Sequence, residues 1–234
     1  MGKPRRLLGV ILSDSALFHP LVKRCRGGFP NSMDESTRRT LIERHRLNLA
    51  SFGYSPLSLH WATRREQLLR FRVLGEIGVA AGDSLLDVGC AFADLERWLA
   101  AQGKAVAYTG IDLSPELLEQ ARNLNPGLTL LVGELFDFDW PERSFDWVLL
   151  SGTLNWQLHD GGDYARRVVA RMFHLCRRGV AFNLLDAGYY RTRAIDDLVA
   201  FDARQMLDFC CTLTPSPRLR SDYLPGDFTL YLHR

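Results

Sequence analysis

The sequence predicts an α/β domain with a doubly wound, mostly parallel sheet, a C-terminal antiparallel hairpin and an N-terminal helical extension. Two observations predict this fold class. Short apolar runs alternate with segments of helical periodicity, and such runs are typical of parallel strands buried on both faces. The chain then closes with two strand-like runs around Pro225 and Gly226, which favours a hairpin. A length of 234 residues with 47% hydrophobic content suffices for one core.

The elements follow from periodicity and from helix caps. A polar helix is expected over residues 35–50, and Thr63 with Glu66 forms a capping box that opens the next helix, which ends at Gly78. Ser114 and Pro115 open another helix as N-cap and first residue. The remaining predicted helices cover residues 94–102, 163–176 and 194–211. The predicted strands cover residues 84–88, 105–111, 128–132, 145–150, 179–185, 218–223 and 228–233.

Charge divides the chain unevenly. The net charge is +2, but residues 1–72 carry +9 and the remainder carries −7. The basic third either binds an anionic substrate or nucleic acid, or packs against the acidic part of its own domain or is simply solvated. Because no nucleic-acid motif accompanies it, we favour packing or solvation over binding. We expect residues 1–62 to form a basic extension and lid segment, and residues 63–234 to form the Rossmann-like domain.

Other classes of protein are disfavoured by composition. No apolar run approaches the ~20 residues that a membrane helix needs. The five cysteines are odd in number and include no C-x-x-C, so neither a disulfide framework nor a metal site is predicted. Reduced thiols are typical of a cytoplasmic protein.

A nucleoside site is predicted where the first two strands end. Strand 84–88 leads through Gly89, Cys90 and Ala91 into a helix, and Asp112 ends the next strand. Small residues let a backbone approach a ligand closely, and an acid at the second position accepts hydrogen bonds from ribose hydroxyls. NAD-binding folds share this geometry. Asp87, however, would repel a pyrophosphate and suits an ammonium group.

Three segments carry a resemblance to a known family. LLDVGCAFADL, YTGIDLSPELLEQAR and FDWVLLSGTLN resemble the class I S-adenosylmethionine-dependent methyltransferases, and the resemblance covers roughly residues 54–234. It implies S-adenosyl-L-methionine as cofactor and a seven-stranded sheet whose last strand is antiparallel.

The resemblance implies roles for individual residues. Asp87 and Gly89, in the loop that continues through Cys90 and Ala91, correspond to positions beside the methionine moiety, and Ser151 corresponds to the position beside the sulfonium. The adenosine positions are Asp112 at the ribose, Leu113 under the adenine, and Glu134 with Leu135 at the adenine edge. The chain departs from the family where alanine replaces the usual glycine at residues 91 and 93. This departure puts activity in doubt more than fold.

Residues that contact the methyl acceptor or the cofactor carboxylate are expected in two segments. Tyr54 and Trp61, upstream of the first motif, are candidates for a lid, with the Tyr54 hydroxyl on the cofactor carboxylate. Gln67 and Arg70 are further candidates for that carboxylate. His159, after the fourth strand, is the candidate general base, although a structural role in the loop is equally compatible with its position.

The functional hypotheses stay open at this point. The leading one is methyl transfer to an oxygen or nitrogen atom of a small molecule. The alternatives are an RNA or protein methyltransferase that uses the basic third, and a non-catalytic relative. An NAD-dependent oxidoreductase is disfavoured by the position of Asp87.

Overall fold

The computed structural model describes residues 32–234, which fold around one seven-stranded sheet. The strands are β1 Ser84–Val88, β2 Ala107–Asp112, β3 Thr129–Val132, β4 Phe145–Ser151, β5 Cys176–Leu185, β6 Arg218–Arg220 and β7 Asp227–His233. Their order across the sheet is β3-β2-β1-β4-β5-β7-β6. The first five are parallel, whereas β7 runs antiparallel to both β5 and β6. The predicted doubly wound sheet and its C-terminal hairpin are therefore confirmed.

Seven α-helices accompany the sheet in the described part of the chain. They are α1 Glu35–Phe52, α2 Arg64–Gly75, α3 Asp94–Ala101, α4 Pro115–Leu124, α5 Asp163–Leu175, α6 Ala187–Tyr190 and α7 Ala203–Cys210. Side-chain caps define several starts: Thr63 accepts from the Glu66 N–H, and Ser114 accepts from the Leu117 N–H. These hydroxyls satisfy N–H groups that the first turn leaves without a backbone partner. None of the helices within residues 32–234 has the length and hydropathy needed to cross a bilayer.

Successive side chains of a strand point to opposite faces of the sheet, and both faces of this sheet are covered by helices. On one face Leu86 and Val148 belong to the core formed with α5 and α7. On the other face Leu85 and Leu149 pack with α2, α3 and α4. This burial explains why the strands appear in the sequence as continuous apolar runs.

Three predicted elements are wrong in extent: the helix expected to end at Gly78 ends at Gly75, the strand expected over residues 218–223 is only Arg218–Arg220, and the last predicted helix starts late. Residues 194–211 were expected to be helical, but α7 begins only at Ala203, with Asp202 as its N-cap. The preceding segment pairs through its backbone instead: the Val199 N–H donates to the Asn155 carbonyl at 2.7 Å, and the Phe201 N–H donates to the Leu185 carbonyl at 2.8 Å. These tertiary hydrogen bonds override a local helical pattern.

Candidate active site

Two adjoining cavities lie at the carboxyl ends of β1, β2 and β4. The larger has a volume of about 230 Å³ and the smaller a volume of about 60 Å³. Both are lined by His45, Gly89, Asp112, Thr153 and Trp156, so they form one continuous cleft. This edge of an open parallel sheet is where such folds bind ligands.

Asp112 stands at the junction of the two cavities. Its carboxylate is 7% exposed and accepts the N–H of Ala91 and the N–H of Ser114, each at 2.9 Å. A carboxylate offers about four acceptor positions, so about two remain for the hydroxyls of a ligand. The two backbone donors also hold the carboxylate in a fixed orientation. The geometry is thus compatible with the predicted contact to a ribose.

The loop after β1 is left-handed at three positions. Gly89 has φ 73°, Ala91 has φ 47° and Ala93 has φ 56°. A side chain at such φ values is strained, because its Cβ crowds the following carbonyl. A Cβ added at Gly89 would lie 2.7 Å from the Thr153 Cβ. Internal packing against Thr153 therefore accounts for the glycine at 89, whereas the alanines at 91 and 93 store backbone strain.

Asp87 is a buried carboxyl in the wall of the larger cavity. It is 3% exposed, and the Tyr108 hydroxyl donates to it at 2.6 Å. Burial raises the pKa of Asp87 to about 7, and the nearby carboxylates of Asp112 and Asp94 add to the rise. A cationic ligand group beside it would favour the ionised form. Burial likewise raises the pKa of the neighbouring Cys90 thiol well above its usual value.

The smaller cavity has apolar walls. Ile111, Leu113 and Leu135 line it from the sheet side, and Leu41 of α1 lines it from above. Its shape and chemistry suit a flat heteroaromatic ring inserted beside Asp112. Leu113 and Leu135 thus lie where an adenine would need them.

Glu134 lies at the edge of the smaller cavity in a dense hydrogen-bond network. Its Oε1 accepts from the Met33 N–H at 2.9 Å and from Arg38, and its Oε2 accepts from the Tyr164 hydroxyl. Arg38 also contacts Asp137 at 2.7 Å, so this arginine fastens α1 to the loop after β3. About one acceptor position of Glu134 remains for an adenine amino group.

The predicted lid residue Tyr54 is committed to a different cluster. Its hydroxyl donates to Asp94 at 2.6 Å, and Asp94 also accepts from Arg64 at 2.7 Å and from Gln67 at 3.3 Å. Tyr54 is 43% exposed and belongs to the walls of neither cavity. The expectation that its hydroxyl binds the cofactor carboxylate is not supported by this arrangement. Tyr54 instead fastens the segment before α2 to the start of α3.

The end of β4 forms another wall of the larger cavity. Ser151 lines this wall, and Asn183 donates to its hydroxyl at 3.4 Å. Gly152 has φ 71°, and a Cβ added there would lie 2.7 Å from the Trp61 ring. The absence of a side chain at Gly152 therefore lets Trp61 lie directly on the turn after β4.

Known proteins share the central part of this chain. A family model described as a methyltransferase domain matches residues 85–179, from β1 into β5. Over these residues the chain is similar to known methyltransferase domains, in agreement with the resemblance carried by the sequence motifs. The match spans the loop after β1, the end of β2 and the end of β4, which are the segments that form the cleft.

Relatives with curated names agree with the family. The chain is 40% identical over 76 residues to a demethylmenaquinone methyltransferase of Tropheryma whipplei. The aligned segment covers 32% of this chain and 31% of that protein. It is 28% identical over 156 residues to a Mycobacterium tuberculosis protein named as a methyltransferase, covering 64% of this chain and 93% of the relative. The chain thus matches about a third of the length of the first relative and nearly all of the second.

Solved structures show the same fold at low identity. Magnesium protoporphyrin IX methyltransferase of Synechocystis, with bound S-adenosylhomocysteine, has a TM-score of 0.58 and 13% identity, covering 84% of this chain and 95% of its own. The plantazolicin methyltransferase BpumL has a TM-score of 0.58 and 12% identity, covering 86% and 99%. At this identity the likeness supports the fold alone.

The residues of the cleft fit the methyl donor of the family. Asp112 offers free acceptor positions beside an apolar chamber, which suits an adenosine. The larger cavity is lined by the further carboxyls Asp87, Asp94 and Glu66, with Arg70 as the one arginine in its wall. Such a wall suits the positively charged sulfonium and ammonium groups of S-adenosylmethionine.

His159 does not lie in this cleft. It is exposed, has φ 57°, and its backbone N–H donates to the Gln157 side chain at 2.9 Å. It lines neither cavity, so the geometry of the described residues does not support the prediction that it acts as a general base. The cause is Asn155, whose side chain accepts from the Leu185 N–H at 3.1 Å and holds the loop against β5.

Two other histidines line the larger cavity. His45 of α1 and His60 both meet the Trp156 ring edge-on, with centroids 5.6 and 4.9 Å away. Burial lowers the pKa of both. His45 was missed in the sequence. Its spacing of one helical turn from Leu41 placed both on one face of α1, but nothing local indicated that this face covers the cleft.

Proposed function

We propose that this chain transfers the methyl group of S-adenosylmethionine to an oxygen or nitrogen atom of a small-molecule acceptor. The observation that carries the proposal is the position of Asp112. Its oriented carboxylate joins an apolar chamber to a larger, acidic cavity. Few ligands other than a nucleoside with a cationic extension match both the apolar chamber and the acidic cavity.

The chain's contribution would be binding and alignment. S-adenosylmethionine carries its methyl group on a positively charged sulfur, which leaves as a neutral thioether. Asp112 would hold the ribose hydroxyls, while Leu113 and Leu135 would enclose the adenine. Asp87 would ionise on contact with the ammonium group, because a nearby positive charge lowers the pKa of a carboxyl. Holding donor and acceptor in line is the main source of rate in such a displacement.

The acceptor would occupy the part of the larger cavity beside Ser151. The lid, which we define as residues 35–62, contributes His45, His60 and Trp61 to the wall of this cavity. His45 and His60 take the place of His159 as candidates to receive the acceptor's proton. Their lowered pKa keeps them neutral at pH 7, which is the form that accepts a proton.

Ion pairing of the basic third favours a small molecule over nucleic acid. Four arginines of the lid and of α2 are paired within the described part of the chain: Arg38 with Glu134, Arg44 with Asp197, Arg64 with Asp94 and Arg70 with Asp227. Paired guanidinium groups contribute little to phosphate binding. A relative named for the small molecule demethylmenaquinone supports the same class of acceptor.

We also propose a cytoplasmic location. Four cysteines in the described part of the chain, at positions 90, 176, 210 and 211, are free thiols. Free thiols are compatible with a reducing compartment.

The experiment that tests the proposed function is label transfer from a trideuteromethyl donor. The protein is incubated with the labelled donor and with separate small-molecule, RNA and protein fractions of a cell extract, and products are identified by mass spectrometry. We expect label in the small-molecule fraction, and none with Asp112→Ala. Label confined to the RNA or protein fraction would contradict the acceptor class, and no label in any fraction would contradict methyl transfer.

A further inference from the structure

Arg70 of α2 has a buried hydrogen-bond donor without an acceptor. The residue is 8% exposed, and its Nε and Nη2 both donate to Asp227, the latter at 2.9 Å. Nη1 makes no hydrogen bond and is shielded from solvent, and its nearest carboxylate oxygen, on Glu66, is 4.0 Å away. Leaving a charged donor buried and unpaired is unfavourable. Arg70 lines the larger cavity, so a ligand that enters there and displaces the atoms covering Nη1 can supply the missing acceptor.

Arg70 lies toward the acceptor half of the cleft. Its partner Asp227 begins β7 and is in register with Leu185 of β5. Four strand steps separate β7 from β2, which carries Asp112. At about 4.8 Å per step, this separation is roughly 19 Å along the sheet. The Arg70 guanidinium also lies 4.3 Å over the Trp61 ring, which rests on the turn after β4.

The surrounding charges determine whether a charged or a neutral ligand oxygen fits beside Arg70 Nη1. Asp227 already compensates the charge of Arg70, and Glu66 lines the same cavity. An anionic group at Nη1 would therefore meet two carboxylates around one guanidinium, whereas a neutral oxygen would meet no such repulsion. The same cavity also has apolar side chains in its wall, including Leu185, Ile195 and Leu198.

We infer that Arg70 Nη1 binds a neutral carbonyl oxygen of the methyl acceptor, which places the acceptor among largely apolar carbonyl compounds. This inference rests on the proposed function for the identity of the ligand as methyl acceptor. Arg70 is then a specificity-determining residue: its hydrogen bond selects the acceptor and positions it beside Ser151.

The test uses three fluorinated probes of similar size. 4-Fluoroacetophenone carries a ketone, 4-fluorobenzoate carries a carboxylate, and 4-fluoroethylbenzene carries neither. Each is titrated into the protein by fluorine NMR, with and without saturating S-adenosylhomocysteine. A hydrogen bond from a charged donor predicts that the ketone binds about tenfold more tightly than the ethyl compound. The benzoate is expected to bind more weakly than the ketone.

Two variants and one control test whether Arg70 and Glu66 cause the preference for the ketone probe. Arg70→Lys keeps a positive charge beside Asp227 but removes Nη1, and it is expected to abolish the preference for the ketone. Glu66→Gln removes one of the two opposing carboxylates, and it is expected to strengthen benzoate binding relative to ketone binding. Arg72→Lys, at an exposed position of the same helix, is expected to change none of the three affinities.

Several results would overturn the inference. Equal binding of ketone and ethyl compound in the wild-type protein would do so without any variant. Tightest binding of benzoate would contradict the neutral class. If Arg70→Lys weakened S-adenosylhomocysteine but not 5′-methylthioadenosine, which lacks the amino acid, Arg70 would belong to the cofactor carboxylate instead. Failure of S-adenosylhomocysteine to bind the wild type would refute the proposed function, while the probe ranking without it would still test the carbonyl site.

Discussion

Strain in the loop after β1 gives a quantitative prediction for Ala91→Gly. Ala91 has φ 47° and its side chain is half-buried. A left-handed residue with a Cβ costs ~1–2 kcal/mol relative to glycine. The greater freedom of glycine in the unfolded chain offsets ~0.4–1 kcal/mol of that gain. We therefore expect Ala91→Gly to raise the free energy of unfolding by about 0.5–1 kcal/mol.

Ala93→Gly provides a comparison within the same loop. Ala93 has φ 56° but is fully buried in the core, at 0% exposure. Removing its methyl group forfeits ~0.8 kcal/mol of burial. The two effects nearly cancel, so Ala93→Gly is expected to be close to neutral.

Ala100→Gly is the matched control. Ala100 is exposed within α3, where glycine costs ~1 kcal/mol relative to alanine. The free energy of unfolding of all three variants and the wild type is measured by urea denaturation, and S-adenosylhomocysteine affinity by calorimetry. Ala91→Gly should bind as well as the wild type or better, because a glycine N–H still reaches Asp112. If Ala91→Gly destabilised the protein as much as Ala100→Gly, the strain argument would be refuted.

Further predictions concern Asp112, Asp87 and Gly89. Asp112→Ala should weaken S-adenosylhomocysteine binding at least about tenfold in calorimetry, since ribose hydrogen bonds to a charged group are lost; unchanged affinity would remove the ribose assignment. The pKa of Asp87 is about 7 in the folded chain, which is above its value in the unfolded chain. The contribution of Asp87 to the free energy of unfolding therefore falls as pH rises toward 7, by up to ~1.4 kcal/mol per pH unit. Asp87→Asn should flatten this dependence in urea titrations between pH 5 and 7, and an unaltered slope would assign it to other groups. Gly89→Ala should lower the urea midpoint because its Cβ meets Thr153; a wild-type midpoint would show that the turn accommodates a side chain.

The sequence was most informative where local chemistry determines structure. Asp87 near the end of β1, Gly89 in the turn that follows and Asp112 at the end of β2 all lie next to the turns that place them, so their position in the cleft was predictable. The Thr63 and Ser114 caps were predictable for the same reason, because their acceptors bond to N–H groups three residues later.

The parts that depend on docking between distant segments were not predictable. Arg38 meets Glu134 across 96 residues, and His45 reaches the cleft only because α1 lies over it. His159 followed the right strand, but Asn155 holds the intervening loop against β5 and leaves the histidine outside. Periodicity at 194–211 could not reveal that the Val199 and Phe201 amides pair with other segments.

The most direct test of the central claim is calorimetric titration of the protein with S-adenosylmethionine, S-adenosylhomocysteine and NAD. The cleft predicts micromolar binding of the first two ligands, and no binding of NAD, whose pyrophosphate would face Asp87. Binding of NAD with neither of the other ligands bound would contradict the assignment of the cofactor. Binding of none of the three would show that the strained loop at Ala91 and Ala93 does not support a nucleoside site.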